Sequence, residues 1–232
     1  MGFAEELEKE VAGIFKESWS KRDGTVIPDT DSLALNNNAV NLTETSVLYA
    51  DMAESTELVN TKTPHFAAEV YKAFLVCCAR IIRKNDGQIT AYDGDRIMAI
   101  FDRYEHRSDA AKTALQINYA VKKIINPAIK SQYPDSTYEL KHAVGIDSSD
   151  LFVAKIGIRN NNDLVWVGRA ANYAAKLCEL RDDTYPSWIT DTVYDRLNND
   201  SKLAKGVNMW KEMVWNARGK HRIYCSSYWW PV

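Results

Sequence analysis

The order of hydrophobic patterns between residues 46 and 147 constrains this chain more than any other feature. SVLYA, from Ser46, is a β-rich run, and Phe66, Val70, Phe74, Cys77 and Ile81 then recur on one face of a long helix that ends at the turn Asn85-Asp86-Gly87. QITAY and RIMAIF follow as two strands joined across Asp93-Gly94-Asp95, a tight hairpin. Ala110, Ala114, Ile117, Val121 and Ile124 mark a second long helix, which Pro127 is expected to stop, and YELKHAVGI reads as another strand. The sequence β-α-β-β-α-β is the split βαβ, ferredoxin-like arrangement, an α+β fold with one antiparallel sheet and both helices on one face. LFVAKIG, LVWVG, SWITD, MWKEMVW and HRIYCSSYW add strands, with helices expected from Arg169 to about Leu180 and near Thr192 to Leu197.

Upstream, Phe3, Leu7, Val11 and Phe15 recur every four residues, a one-faced helix that must lie on something, either this domain or a partner. Ser20 to Asn41 is rich in Asp, Asn, Ser and Thr and reads as a linker. The expected organisation is therefore an N-terminal helix and linker over residues 1–45 and one domain over 46–232. Lys+Arg 29 against Asp+Glu 31 leaves no nucleic-acid footprint and no polybasic anchor, so any positive site must be local. The longest apolar stretch is too short for a bilayer and the first residues are acidic, so the chain is expected to stay in the cytoplasm, away from membranes. The four cysteines have no metal or disulfide spacing and read as buried thiols.

Asp51 ends the run VLYA and Asp95 sits in the hairpin turn; the two strands are neighbours in a split βαβ sheet, so both carboxylates can meet at one edge. Oxygen ligands of that kind suit Mg²⁺ or Mn²⁺. Asp is also ordinary turn chemistry, and Asp93 is open to either reading. After Asp51, Ser55 or Thr56 can cap a helix, while Glu54 opposes phosphate. Arg169, Asn172 and Lys176 share one helix face, separate from the apolar stripe Ala170, Ala174 and Leu177; such a face is either solvated or functional. Arg218-Gly219-Lys220-His221-Arg222 is the densest basic cluster, a solvated turn or a triphosphate clamp.

Together, VLYADMAEST, AYDGDRIMAIF, VWVGRAANYAAKL and ARGKHRIY resemble, in order, four motifs of the class III nucleotidyl cyclase catalytic domain, over residues 46–225. The resemblance implies a head-to-tail homodimer with two composite sites. One protomer would supply Asp51, Asp95 and the Met52 carbonyl to two Mg²⁺ or Mn²⁺ ions, and the other Asn172, Lys176 and the Arg218–Lys220 region. The ribose 3′ oxygen of a nucleoside triphosphate would attack its α-phosphorus, giving the 3′,5′-cyclic monophosphate and pyrophosphate. Lys176 stands where the family has a transition-state arginine and lacks that residue's planar fork, for which Arg169 or another nearby arginine would compensate.

The departures from the family point to the substrate. Ala91 and Val165 occupy the two purine-reading positions, and neither side chain can hydrogen-bond a base. Tyr49 replaces the commoner Phe and adds a hydroxyl, and Arg96 adds a fork of donors. This combination resembles the uridylate and cytidylate cyclases of bacterial Pycsar antiphage systems, whose cyclic product activates a separate effector. The expectation is a pyrimidine cyclase that prefers UTP to CTP. The alternatives are an adenylate cyclase with atypical base recognition and a degenerate cyclase domain that binds nucleotide without turnover.

Overall fold

A computed structural model describes residues 2–232. Its centre is a nine-stranded sheet in which β10-β11-β7-β5-β2-β4-β3 lie side by side, with β1 added to β2 and β6 to β5. The core unit is β2 (Asn38–Ala53), α3 (Pro64–Lys84), β3 (Gln88–Asp93), β4 (Arg96–Phe101), α4 (His106–Ala120) and β5 (Lys141–Ile158). Its strand order, β5-β2-β4-β3, is that of the expected split βαβ sheet.

Local chemistry explains these elements. Thr63 caps α3 by accepting from the Phe66 amide at 3.2 Å, Pro64 opens the helix, and Phe66, Val70, Phe74 and Ile81 are buried as their spacing predicts. Cys78 rather than Cys77 completes that stripe: Cys77 is half-buried, while Cys78, Cys178 and Cys225 are fully buried free thiols. Gly94, at φ +60°, supplies the left-handed residue of the β3–β4 turn.

Two expectations give way, and a third is left to its second alternative. Pro127 does not stop the second helix: the chain widens into a π-turn over Val121–Ile125, where the Asn126 amide bonds Val121, and continues as α5 (Asn126–Gln132). The supposed linker from Ser20 holds β1 (Ser20–Gly24), parallel to the first residues of β2, and buries Ile27 and Leu33. Polar composition hid a strand whose side chains are mostly exposed. The N-terminal helix α1 (Phe3–Lys16) forms as expected but buries none of its residues, and Phe3 and Phe15 are 75% and 86% exposed.

The register shift between Leu42 and Thr45 resets the alternation of β2. Beyond it, Leu48, Ala50 and Met52 pack with α3 and α4, while Val47, Tyr49 and Asp51 face the other side. That other side carries α6 (Arg169–Cys178), which follows β6 (Asn161–Val167) and buries Ala170, Ala171, Ala174, Leu177 and Cys178. Gly145 lets it approach: a Cβ there would lie 2.2 Å from the Ala174 carbonyl oxygen. The sheet is finished by β7 (Ser187–Thr190), β10 (Lys211–Trp215) and β11 (His221–Ser226), with the short helices α2 (Ser55–Thr61), α7 (Asp191–Tyr194) and α8 (Asn199–Lys202) and the paired two-residue strands β8 (Leu203–Ala204) and β9 (Val207–Asn208) around it. Among the described residues no helix is long and apolar enough to cross a membrane.

Candidate active site

Strand register places the site. Asp51 lies directly opposite Arg96 on β4, one residue beyond Asp95, so the two carboxylates sit at adjacent strand ends. They line one cleft of about 460 Å³ with Met52, Glu54, Asp93 and Arg181. The Asp51 side chain is only 6% exposed, and its Oδ2 accepts from Arg96 Nη2 at 3.0 Å and from Arg181 Nη2 at 2.7 Å. Asp95 Oδ2 is buried with no hydrogen-bond partner. A buried carboxylate oxygen without a donor is costly, and a bound cation is one way to satisfy it.

The carboxylate oxygens of Asp51 and Asp95 are of the kind a hard divalent cation takes, and Met52 lines the same cleft. Among the described residues no group of three or more His, Cys, Asp or Glu side chains is placed to hold a metal. An ion here would complete its shell with water and substrate phosphate, the habit of Mg²⁺.

Ala91, Met98 and Tyr49 form a cross-strand row over β3, β4 and β2, one step along from Asp93, Arg96 and Asp51. Burial raises the Tyr49 phenol above its ordinary pKa against the pull of Arg96, so its hydroxyl stays a donor. Arg96 gives its Nη2 to Asp51 and has its guanidinium carbon 5.9 Å from the Tyr49 ring centroid. Burial lowers the Arg96 pKa, but the bond to Asp51 more than offsets this and leaves it raised. Val165 is on β6 opposite Ala154, between Leu164 and Trp166, which pack against the cluster that Tyr49 joins; its own side chain takes the other side of the strand.

Asn172 and Lys176 are exposed, one turn apart on α6. Asn172 Nδ2 makes a long 3.4 Å bond to the Gly168 carbonyl, and Lys176 Nζ pairs with Glu179 at 2.9 Å. Neither contacts Asp51 within the chain. Arg218 and Lys220 are exposed in the turn between β10 and β11, with Gly219 and Lys220 at positive φ.

Arg169 is engaged away from these carboxylates within the chain. Its Nε and Nη2 bond the two carboxylate oxygens of Asp147 at 3.0 and 3.3 Å, and Nη2 also reaches the Ser148 carbonyl and Thr192 Oγ1. All of these lie at the end of α6 remote from Asp51. The arginine that does stand by the carboxylates is Arg181, three residues past α6, which sequence reasoning missed. A register argument finds it: Asp51 pairs with Ala143, whose methyl leaves the space over the strand open, and the end of α6 is held there by Cys178 Sγ donating to the Tyr49 and Ala143 carbonyls at 3.1 and 3.2 Å. Burial pushes the Cys178 thiol up to about 12, so it acts as a donor and not as a nucleophile.

Residues 38–227 match the family described as adenylate and guanylate cyclase catalytic domain. Over its whole length the chain is 45% identical to a "Uridylate cyclase" of Xanthomonas perforans and 46% identical to one of Burkholderia cepacia, in each case covering the whole relative. A "Uridylate cyclase" of Rhodovulum sp. is 34% identical, over 99% of this chain and 98% of that one. Among solved structures, the guanylate cyclase domain of RhGC from Catenaria anguillulae superposes with TM-score 0.66 at 14% identity, over 82% of this chain and 99% of that one. The adenylyl cyclase CyaB from P. aeruginosa gives 0.63 at 20%, over 81% and 95%. At these identities the structures speak to the fold alone.

Proposed function

This chain belongs to the adenylate and guanylate cyclase catalytic domain family and is a nucleotidyl cyclase; on that footing we propose that its substrate is UTP, ahead of CTP, and that its cyclic product serves as a second messenger in antiphage defence. The observation that carries the site is the pair of carboxylates in one cleft, Asp51 with one oxygen held by arginines and Asp95 with a buried oxygen bonded to nothing. The pyrimidine reading rests on Ala91 and Val165 at the purine positions, on Tyr49, and on the name shared by the similar proteins.

Asp51, Asp95 and the Met52 carbonyl would hold divalent cations, Mg²⁺ or Mn²⁺. Bound there, these would lower the pKa of the ribose 3′ hydroxyl and neutralise the triphosphate. The remaining work falls to side chains. In a homodimer, the partner protomer's α6 would bring Asn172 to the ribose and Lys176 to the α-phosphoryl oxygens, where charge develops as the 3′ oxygen attacks and pyrophosphate leaves. Arg218 and Lys220 would meet the outer phosphates. The protonated Tyr49 hydroxyl offers a donor to a pyrimidine carbonyl, while Ala91, in the same cross-strand row, leaves a purine's exocyclic groups without a partner there.

A second reading, nucleotide binding without turnover, has one observation in its favour: two guanidinium groups already sit on Asp51. Incubating the protein with each of ATP, GTP, CTP and UTP plus Mn²⁺ and identifying products by mass separates the two. Cyclic UMP as the main product is expected. Equal turnover of ATP and UTP would end the specificity claim, and no cyclic product from any triphosphate would favour the second reading.

A further inference from the structure

Arg181 and Arg96 both use Asp51 Oδ2, yet they are anchored differently. Arg96 belongs to β4, lies along the Tyr49 ring and has a side chain 29% exposed. Arg181 lies in the irregular segment between α6 and β7, its side chain is 40% exposed, and it borders the cleft. It also sits just beyond the C-terminus of α6, where the negative end of the helix dipole favours a cation. Asp51 thus has one partner seated in a strand beside an aromatic ring and one in an irregular segment at the edge of the cleft. A divalent cation arriving at the same carboxylate would repel both, and Arg181 is the less firmly anchored of the two. The anion that accompanies the cation is the substrate's triphosphate, and a guanidinium fork matches phosphate oxygens.

Building on the reading of Asp51 as a metal ligand, we propose that Arg181 is an exchangeable counter-ion: it holds Asp51 while the cleft is without nucleotide and transfers to the triphosphate when substrate and cation enter. It supplies from the metal-binding protomer the planar fork that Lys176 lacks, a role for which Arg169 is not free.

The proposal makes two effects of one substitution run in opposite directions. In Arg181→Gln, Mn²⁺ alone should bind more tightly by about three- to tenfold, because a competing cation has left the carboxylate, while KM for UTP rises about tenfold with the lost phosphate contact. Mn²⁺ affinity is measured without nucleotide, by titration followed by electron paramagnetic resonance. Arg181→Lys, which keeps the charge, should return Mn²⁺ affinity towards wild type while leaving KM raised. It also serves as the test should the glutamine variant unfold. Weaker Mn²⁺ binding together with raised KM would mean that Arg181 only props Asp51, and would overturn the proposal. Changes in neither quantity, or in Mn²⁺ affinity alone, would overturn it as well. Asp51→Asn separates the two levels of the argument: if it binds Mn²⁺ like the wild type, the metal reading of Asp51 fails, whatever Arg181 does.

Discussion

Two buried aspartates on the same sheet face, Asp51 on β2 and Asp147 on β5, sit under opposite ends of α6, and they have been given different tasks. Asp147 is wholly buried, and both its oxygens are used: Arg169 bridges them, and Thr190 Oγ1 donates to one. Burial still raises its pKa, against the pull of Thr190 and Arg169. Asp51 is nearly as buried, but only Oδ2 has partners, and beside it Asp95 Oδ2 has none. A carboxylate whose lone pairs are all filled from within the chain holds elements together. One left half-filled beside a cleft still has an oxygen to offer a ligand, which is the role proposed for Asp51.

The sharpest way to break this comparison is to remove each carboxylate in turn. Asp51→Ala should lower cyclase turnover by about a thousandfold, as expected for loss of a pre-organised electrostatic group, with an unfolding midpoint close to wild type. Asp147→Ala should do the reverse, costing about 2–3 kcal/mol in urea-monitored stability because the polar partners of a filled network are stranded, while the folded fraction keeps most of its turnover. A large stability loss in the first variant and none in the second would invert the assignment. A smaller effect refines the Asp51 end: Tyr49→Phe should reduce kcat/KM for UTP by about tenfold if its hydroxyl makes a buried hydrogen bond to the base, leaving Mn²⁺ affinity unchanged. Unchanged kinetics would remove the hydroxyl from base reading without touching the carboxylates.

In acid the fold should lose stability through two histidines held neutral, one bonded to Ser46 of β2 and one on β5 opposite Met52. His106 is hydrogen-bonded to Ser46 Oγ at 2.8 Å and to Arg107 Nη1 at 2.9 Å; Arg107 can only donate, so His106 accepts there. Burial, with Arg107 and Arg196 adding to it, lowers its pKa to about 4. His142, opposite Met52 in register, is lowered to about 3, by burial first and then by Lys122 and Arg181. Unfolded histidine titrates near ~6.5, so between there and these folded values the unfolded chain takes up protons that the folded chain refuses. Stability is thus expected to be complete above about pH 6.5 and to fall steadily as pH drops towards 4. His106→Gln should flatten that slope in urea midpoints measured across the range; an unaltered slope would place the acid sensitivity elsewhere.

Much of this was legible in the residues. The β-α-β-β-α-β order and the meeting of Asp51 with Asp95 follow from periodicity and one glycine turn, which are local signals. The misreadings share a cause of another kind. Pro127 stops a regular helix but not one that has widened into a π-turn, and β1 becomes a strand only because the long arm of β2 offers it an edge. Which arginine reaches which aspartate is set by the path of α6 across β2 and β5, between residues 130 apart in the case of Asp51 and Arg181. That path depends on Gly145, whose role shows only when the helix is laid on it. Spacing on α6 grouped Arg169 with Asn172 and Lys176, whereas tertiary packing took Arg169 for the filled carboxylate and brought Arg181 to the open one.

The central claim is that the half-filled carboxylate belongs to a composite cyclase site completed by a second copy of the chain, and complementation tests it most directly. Asp51→Ala and Asn172→Ala chains, each expected to be inactive by itself, are co-expressed with distinct tags, and the heterodimer is purified and assayed with UTP and Mn²⁺. One of its two sites carries both substitutions and the other neither, so it should recover up to about half the wild-type activity. A heterodimer as inactive as its parents would contradict the account.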